Sequence, residues 1–152
     1  MIANPFASFD LFLPNAHKEK IDKFTKTSGR REGALISPFP RQIDFWFSAF
    51  LFGVAKNLAP ADDRDSYKFI QGTILSTDPY RIATIQLVAL GRAGDPSVLT
   101  EPKKMLDMAS RIVFAATTFL ISVLDDPEED KPLWALLGLY ETLSAKKLST
   151  PK

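Results

Sequence analysis

A chain of 152 residues with 45 % hydrophobic content suits one domain with a sizeable core. It has no cysteine and a single histidine, His17, which excludes disulfides and thiol chemistry and leaves a zinc site, a non-haem iron site or a Ser-His-Asp triad short of ligands. The formal net charge of +1 is unevenly spread: seven basic residues face three acidic ones between positions 17 and 42, whereas five of the six residues from 125 to 130 are acidic.

Residues 1 to 16 mix Phe6, Phe9, Leu11, Phe12 and Leu13 with Pro5 and Pro14. They read as an extended arm laid over the core or docked on another protein. The start lacks a basic stretch followed by a continuous apolar run, so it does not read as a signal peptide, and the expected location is cytoplasmic. Residues 17 to 27 suit a short basic helix with Ile21 and Phe24 on one face. A loop is expected over 27 to 33, then a short strand at Ala34, Leu35 and Ile36.

Residues 38 to 58 form the centre of the sequence. Eleven almost wholly apolar residues, 45 to 55, lie between polar ends, the outline of a buried helix. Pro40 suits its first turn, Asp44 its positive pole and Lys56 its negative pole. Phe45, Trp46, Phe47, Phe50 and Phe52 point around most of the circumference, so they are candidate core or interface residues of a helix lying between layers or meeting a partner. Poor alternation argues against a strand, and a membrane span needs about 20 apolar residues.

A polar connection follows over 59 to 65, and Ser66 to Leu75 fits either a strand or a helical turn. Asp78 is placed to cap the next helix, with Pro79 in its first position and Gly91 and Gly94 at its end. After a loop over 95 to 100, Thr100 or Glu101 caps a longer helix opened by Pro102. There, Met105, Met108, Ala109, Ile112, Ala116, Phe119, Leu120 and Val123 recur at spacings of three and four, making it the expected neighbour of the helix over 40 to 57. The acidic run precedes a last helix opened by Pro132, with Leu133, Leu136, Leu137, Tyr140 and Leu143 as its expected buried stripe, before Lys146, Lys147 and a fraying end. The architecture expected is mainly α, a compact single-domain array of about five helices with two short strands: an arm over 1 to 16, a helical domain over 17 to 148 and a frayed terminus over 149 to 152.

Little in the chain carries chemistry. Residues 25 to 29 lack the glycine and lysine spacing of a phosphate cradle, and no dinucleotide fingerprint is present. Asp62, Asp63 and Asp65 form an acidic loop that suits solvent better than a divalent cation. Asp126, Glu129 and Lys131 resemble a nuclease carboxylate pattern but lie between helices. Lys18, Lys20, Lys23, Lys26, Arg30, Arg31 and Arg41 are the candidate nucleic-acid contacts. No catalytic residue, metal ligand or cofactor site is expected.

The order of motifs resembles the small helical accessory proteins associated with bacterial DNA phosphorothioation (Dnd) defence systems. The likeness lies in residues 39 to 54, an Asp-Phe-x-Phe-x-Ala-Phe-x-x-Gly pattern after a Phe and a basic residue. It continues in residues 80 to 99, with Gly94-Asp95 leading to Val98-Leu99, and in the helix around Ala109. About two thirds of the chain is covered. Around Ala109 to Ala116 the chain departs from the pattern, reading Ser110-Arg111-Ile112-Val113 in place of an Asn-Gly interruption. The resemblance implies a non-enzymatic accessory role in a DNA-modification or anti-phage defence system. A protein partner or homo-oligomer is expected, DNA binding through residues 18 to 41 is the alternative, and no membrane association is expected.

Overall fold

The structure, a computed structural model, describes residues 3–25, 33–126, 128 and 131–149. In chain order the elements are β1 (Asp10–Pro14), α1 (Lys18–Thr25), α2 (Gly33–Ile36), α3 (Gln42–Ala55), β2 (Ser66–Gln71), α4 (Tyr80–Ala93), α5 (Pro102–Leu124) and α6 (Pro132–Ser149). Tight 3-10 turns occupy Asn15–His17, Gly72–Thr77 and Pro96–Thr100. Among the described residues, five helices of eight residues or more and one two-stranded antiparallel sheet make the fold mainly α, as its periodicities indicate.

The core is the α3–α5 pair. Phe45, Trp46, Phe47, Phe50 and Phe52 are all buried, and Met105, Ala109, Ile112, Ala116 and Leu120 of α5 close over them. The helices approach so closely at Gly53 that a Cβ there would collide with the Cγ2 of Ile112 and come within 3.3 Å of the Ala116 Cβ. A side chain at that position would hold the two backbones apart. By length and composition α5 is also apolar enough to cross a membrane, and half of that apolar stretch is buried inside the fold.

Local chemistry sets the helix ends. Arg41 is extended (φ −137°, ψ 158°), and its backbone N–H donates to the Asp44 carboxylate at 3.0 Å. That bond starts α3 at Gln42, so Pro40 lies outside the first turn where it was expected. Asp78 does not cap α4 through its side chain; its backbone carbonyl accepts from the Arg81 N–H at 2.9 Å, and its carboxylate turns to Arg41 and Arg81. Gly94 ends α4 in the left-handed region (φ 67°) and donates to the Leu90 carbonyl at 2.9 Å, while Gly91 remains inside the helix. Pro102 opens α5. Its preceding loop is a 3-10 turn capped by Asp95, whose carboxylate accepts from the Ser97 N–H at 3.0 Å.

The arm supplies the first strand. β1 pairs with β2 from Asp10↔Gln71 to Pro14↔Ser66, with a bulge between Leu11 and Phe12, and Phe6, Leu11 and Leu13 are buried in the common core. Gly72, just after β2, donates to the Phe9 carbonyl at 2.7 Å, and a Cβ there would strike the Phe6 carbonyl oxygen. The open choice for residues 66 to 75 resolves into both readings in succession, strand then 3-10 turn.

Two further expectations are corrected. Ala34, Leu35 and Ile36 form a helical turn instead of a strand, because the Ser37 N–H returns to the Gly33 carbonyl at 2.7 Å, while among the described residues β1 and β2 pair only with each other. The buried side of α6 also differs. Ala135 and Leu136 are buried, and Leu139 and Leu143 pack at the margin of the core, but Leu137 and Tyr140 face outward with Trp134. Residues 133 to 140 are apolar all round apart from Gly138, so their pattern carries no phase information.

Candidate interaction surfaces

The most buried charge cluster joins the starts of α3 and α4. The Arg81 Nη2 donates to Asp44 at 2.8 Å, Arg41 meets the same carboxylate at 3.2 Å, and Asp78 lies 3.4 Å from Arg41 and 3.8 Å from Arg81. The Arg81 side chain is only 8 % exposed and lies 5.1 Å from the Phe47 ring centre and 5.8 Å from that of Tyr80. Burial raises the Asp44 carboxyl, but hydrogen bonds from Arg41 and Arg81 outweigh it and hold the group below its ordinary range. Two cations and two carboxylates cancel one another here. The cluster therefore works as a clasp between helices.

The basic segment is tied down within its own chain. Lys18 sits 5.1 Å above the Tyr67 ring, Lys20 pairs with Asp125 at 2.8 Å, Lys23 lies 5.3 Å from the Phe24 ring, and Arg41 belongs to the clasp. Lys26, Arg30 and Arg31 lie outside the described residues. The Lys20–Asp125 pair brings the start of the acidic run onto the basic helix, so part of the charge asymmetry closes on itself. Hydrogen bonding to Lys20 lowers the Asp125 carboxyl.

The acidic loop is dispersed in the same way. Asp62 is gripped by Arg64, Asp63 is 4.0 Å from Arg111, and Asp65 accepts from the Asn15 amide at 2.9 Å. Asp126 accepts from the Glu128 N–H at 2.9 Å, while Glu129 lies outside the described residues. Among the described residues no group of three or more His, Cys, Asp or Glu side chains is placed to hold a metal ion. His17 contacts the Thr118 hydroxyl at 3.1 Å.

Apolar exposure is concentrated on helices. On α6, Trp134 is 51 %, Leu137 42 % and Tyr140 44 % exposed, and the Tyr140 ring leans on Phe52 with centroids 5.1 Å apart. Ile36 is exposed on α2, which packs against α6. A second apolar area on α4 has Tyr80 and Leu87 exposed, beside a cleft of about 290 Å³ lined by Ala83, Gln86, Leu87, Leu90 and Leu99. Sequence reading missed the α6 surface by assigning Leu137 and Tyr140 to the interior; the density of large apolar residues there was the available signal. Comparison with protein-family models, with curated proteins and with solved structures finds no match to this chain.

Proposed function

We propose that this protein is a non-enzymatic interaction subunit that docks a second protein chain on the outer face of α6. The observation that carries the reading is the exposure of Trp134, Leu137 and Tyr140 on a helix without a charged residue between Pro132 and Tyr140. Large apolar side chains grouped on one exposed face favour association, and tryptophan and tyrosine are overrepresented among the residues that dominate binding energy. An uncharged strip complements an apolar helix better than a phosphate backbone. DNA binding through residues 18 to 41 draws less support, since each described cation there already has an acidic or aromatic neighbour. The resemblance to phosphorothioation-associated accessory proteins directs the search for the partner to subunits of such DNA-modification machinery.

The test is affinity capture of the tagged protein from its native cells, with and without nuclease, alongside light scattering of the purified chain. The same measurements are made on Leu137→Lys, which places a charge on the exposed face without entering the core. Partners that survive nuclease, or a dimer, and that are lost in Leu137→Lys at unchanged melting temperature support the reading. A monomer that retains no partner, or partners held equally by the variant, overturns it.

A further inference from the structure

Gly53 is fixed by its neighbour, since a Cβ there would strike Ile112, whereas a Cβ on Gly138 meets nothing within 4 Å. Glycine inside a helix costs stability relative to alanine, and among the described residues nothing presses on Gly138 to require it. It lies on the outer side of α6, where Trp134, Leu137, Gly138, Glu141 and Ala145 are all exposed and share one face by helical spacing. A bare stretch of backbone between large apolar side chains admits a second helix at close range. Charge adds a direction. Acidic residues, among them Asp126 and Glu128, precede α6, and Lys146 and Lys147 stand near its end.

We infer that the chain covering this face is a second copy of the protein, the two α6 helices crossing antiparallel about a two-fold axis at Gly138; the inference rests on the reading of the α6 face as a docking surface. The paired glycines let the backbones approach, and each Leu137 packs beside its mate. Each Trp134 lies level with Thr142 of the second copy, beside the Glu141 carboxylate, an acceptor for its indole N–H. The same crossing sets the acidic entry of each helix against the lysine-bearing end of the other. A parallel pair would place acid beside acid and lysine beside lysine, and would align the two helix dipoles. The reversal of charge along α6 is complementary to itself, which an unrelated apolar helix would leave unused.

The chain has no cysteine, so single introduced cysteines report on the pairing. Gly138→Cys should cross-link between copies on mild oxidation, because residues on the axis come within the roughly 4.4–6.8 Å Cα separation of a disulfide. Ala145→Cys should not, since seven residues from the axis in each copy separate the pair by about 21 Å. Sedimentation of the parent from about 5 to about 500 µM should show a monomer–dimer equilibrium. Gly138→Leu should weaken it at least about tenfold with no loss of melting temperature in dilute solution, while Gly91→Leu, at an equally open position on α4, leaves it unchanged. The inference is overturned by a Gly138→Cys variant that does not cross-link, by an Ala145→Cys variant that cross-links as fast, or by a dimer that Gly138→Leu does not weaken. A monomeric parent whose cellular partner is lost in Leu137→Lys overturns the second copy and keeps the docking surface; a monomeric parent with no partner removes both.

Discussion

The Arg81 guanidinium lies 2.8 Å from the Asp44 carboxylate, and this contact joins the first turn of α4 to the first turn of α3. The two residues are 37 apart in the chain, and each is oriented by further partners: Arg41 and Asp78 on the charged side, Phe47 and Tyr80 on the apolar side. Replacing Arg81 by Met keeps most of the apolar packing but leaves Asp44 with Arg41 alone. Arg81→Met should cost about 2 kcal/mol, below the usual penalty for breaking a fully buried pair because Arg41 still compensates the carboxylate. In urea unfolding this appears as a lower midpoint with an unchanged slope.

Acid should release the same clasp. The Asp44 carboxyl titrates below its ordinary value in the folded state, so its contribution is fully present above about pH 4 and is lost as pH falls through the folded value. Stability measured by urea midpoint from pH 6 to pH 2 should decline over the lower part of that range. Asp44→Asn should start lower and decline less; an equal decline in both would place the acid sensitivity elsewhere.

Two glycines on neighbouring helices should respond oppositely to alanine. Gly53→Ala forces a Cβ into Ile112 and should destabilise by about 1–3 kcal/mol through separation of α3 and α5. Gly91 lies inside α4, and a Cβ there meets nothing within 4 Å. Gly91→Ala should therefore stabilise by up to about 1 kcal/mol, the helix-propensity difference. Thermal melts of the two variants check both signs together.

Tyr67 should ionise late. Burial, with the nearby Asp22 charge adding to it, pushes its phenol up to about 12. Ultraviolet titration should show one of the three tyrosines gaining phenolate absorbance only near that pH. Because the folded value exceeds the ordinary value of about 10, this group's contribution is complete below pH 10 and is lost as pH rises through the folded value. Among the described residues the buried hydroxyl has no hydrogen-bond partner, so Tyr67→Phe should be neutral or stabilising at pH 7 and should remove the late phase.

The arm should come loose when Gly72 acquires a side chain. Gly72→Ala sets a Cβ against the Phe6 carbonyl oxygen and disturbs the 2.7 Å bond from the Gly72 N–H to Phe9. Limited proteolysis should then cut within residues 3 to 14 faster than in the parent, with later cleavage of the helices little changed.

Features governed by neighbours in sequence were readable from the chain itself. Pro102 at the first position of α5, Gly94 beyond the end of α4 and the three-and-four spacing from Met105 to Val123 act through backbone geometry and one-sided burial, both local. So was the apolar centre of α3, whose composition leaves no strand or solvent-facing alternative. The pairing of β1 with β2 across more than fifty residues, the side of α6 left uncovered and the choice of Asp44 as the partner of Arg81 were not local. Residues 133 to 140 satisfy a buried helix in any rotation, and only packing against α5 and α2 selects one. Asp78 would cap α4 from its position in the chain, but two arginines brought in by the fold compete for its carboxylate. Where several local solutions were nearly equal in free energy, contacts between distant segments made the choice, because those contacts exist only once the chain has closed around its core.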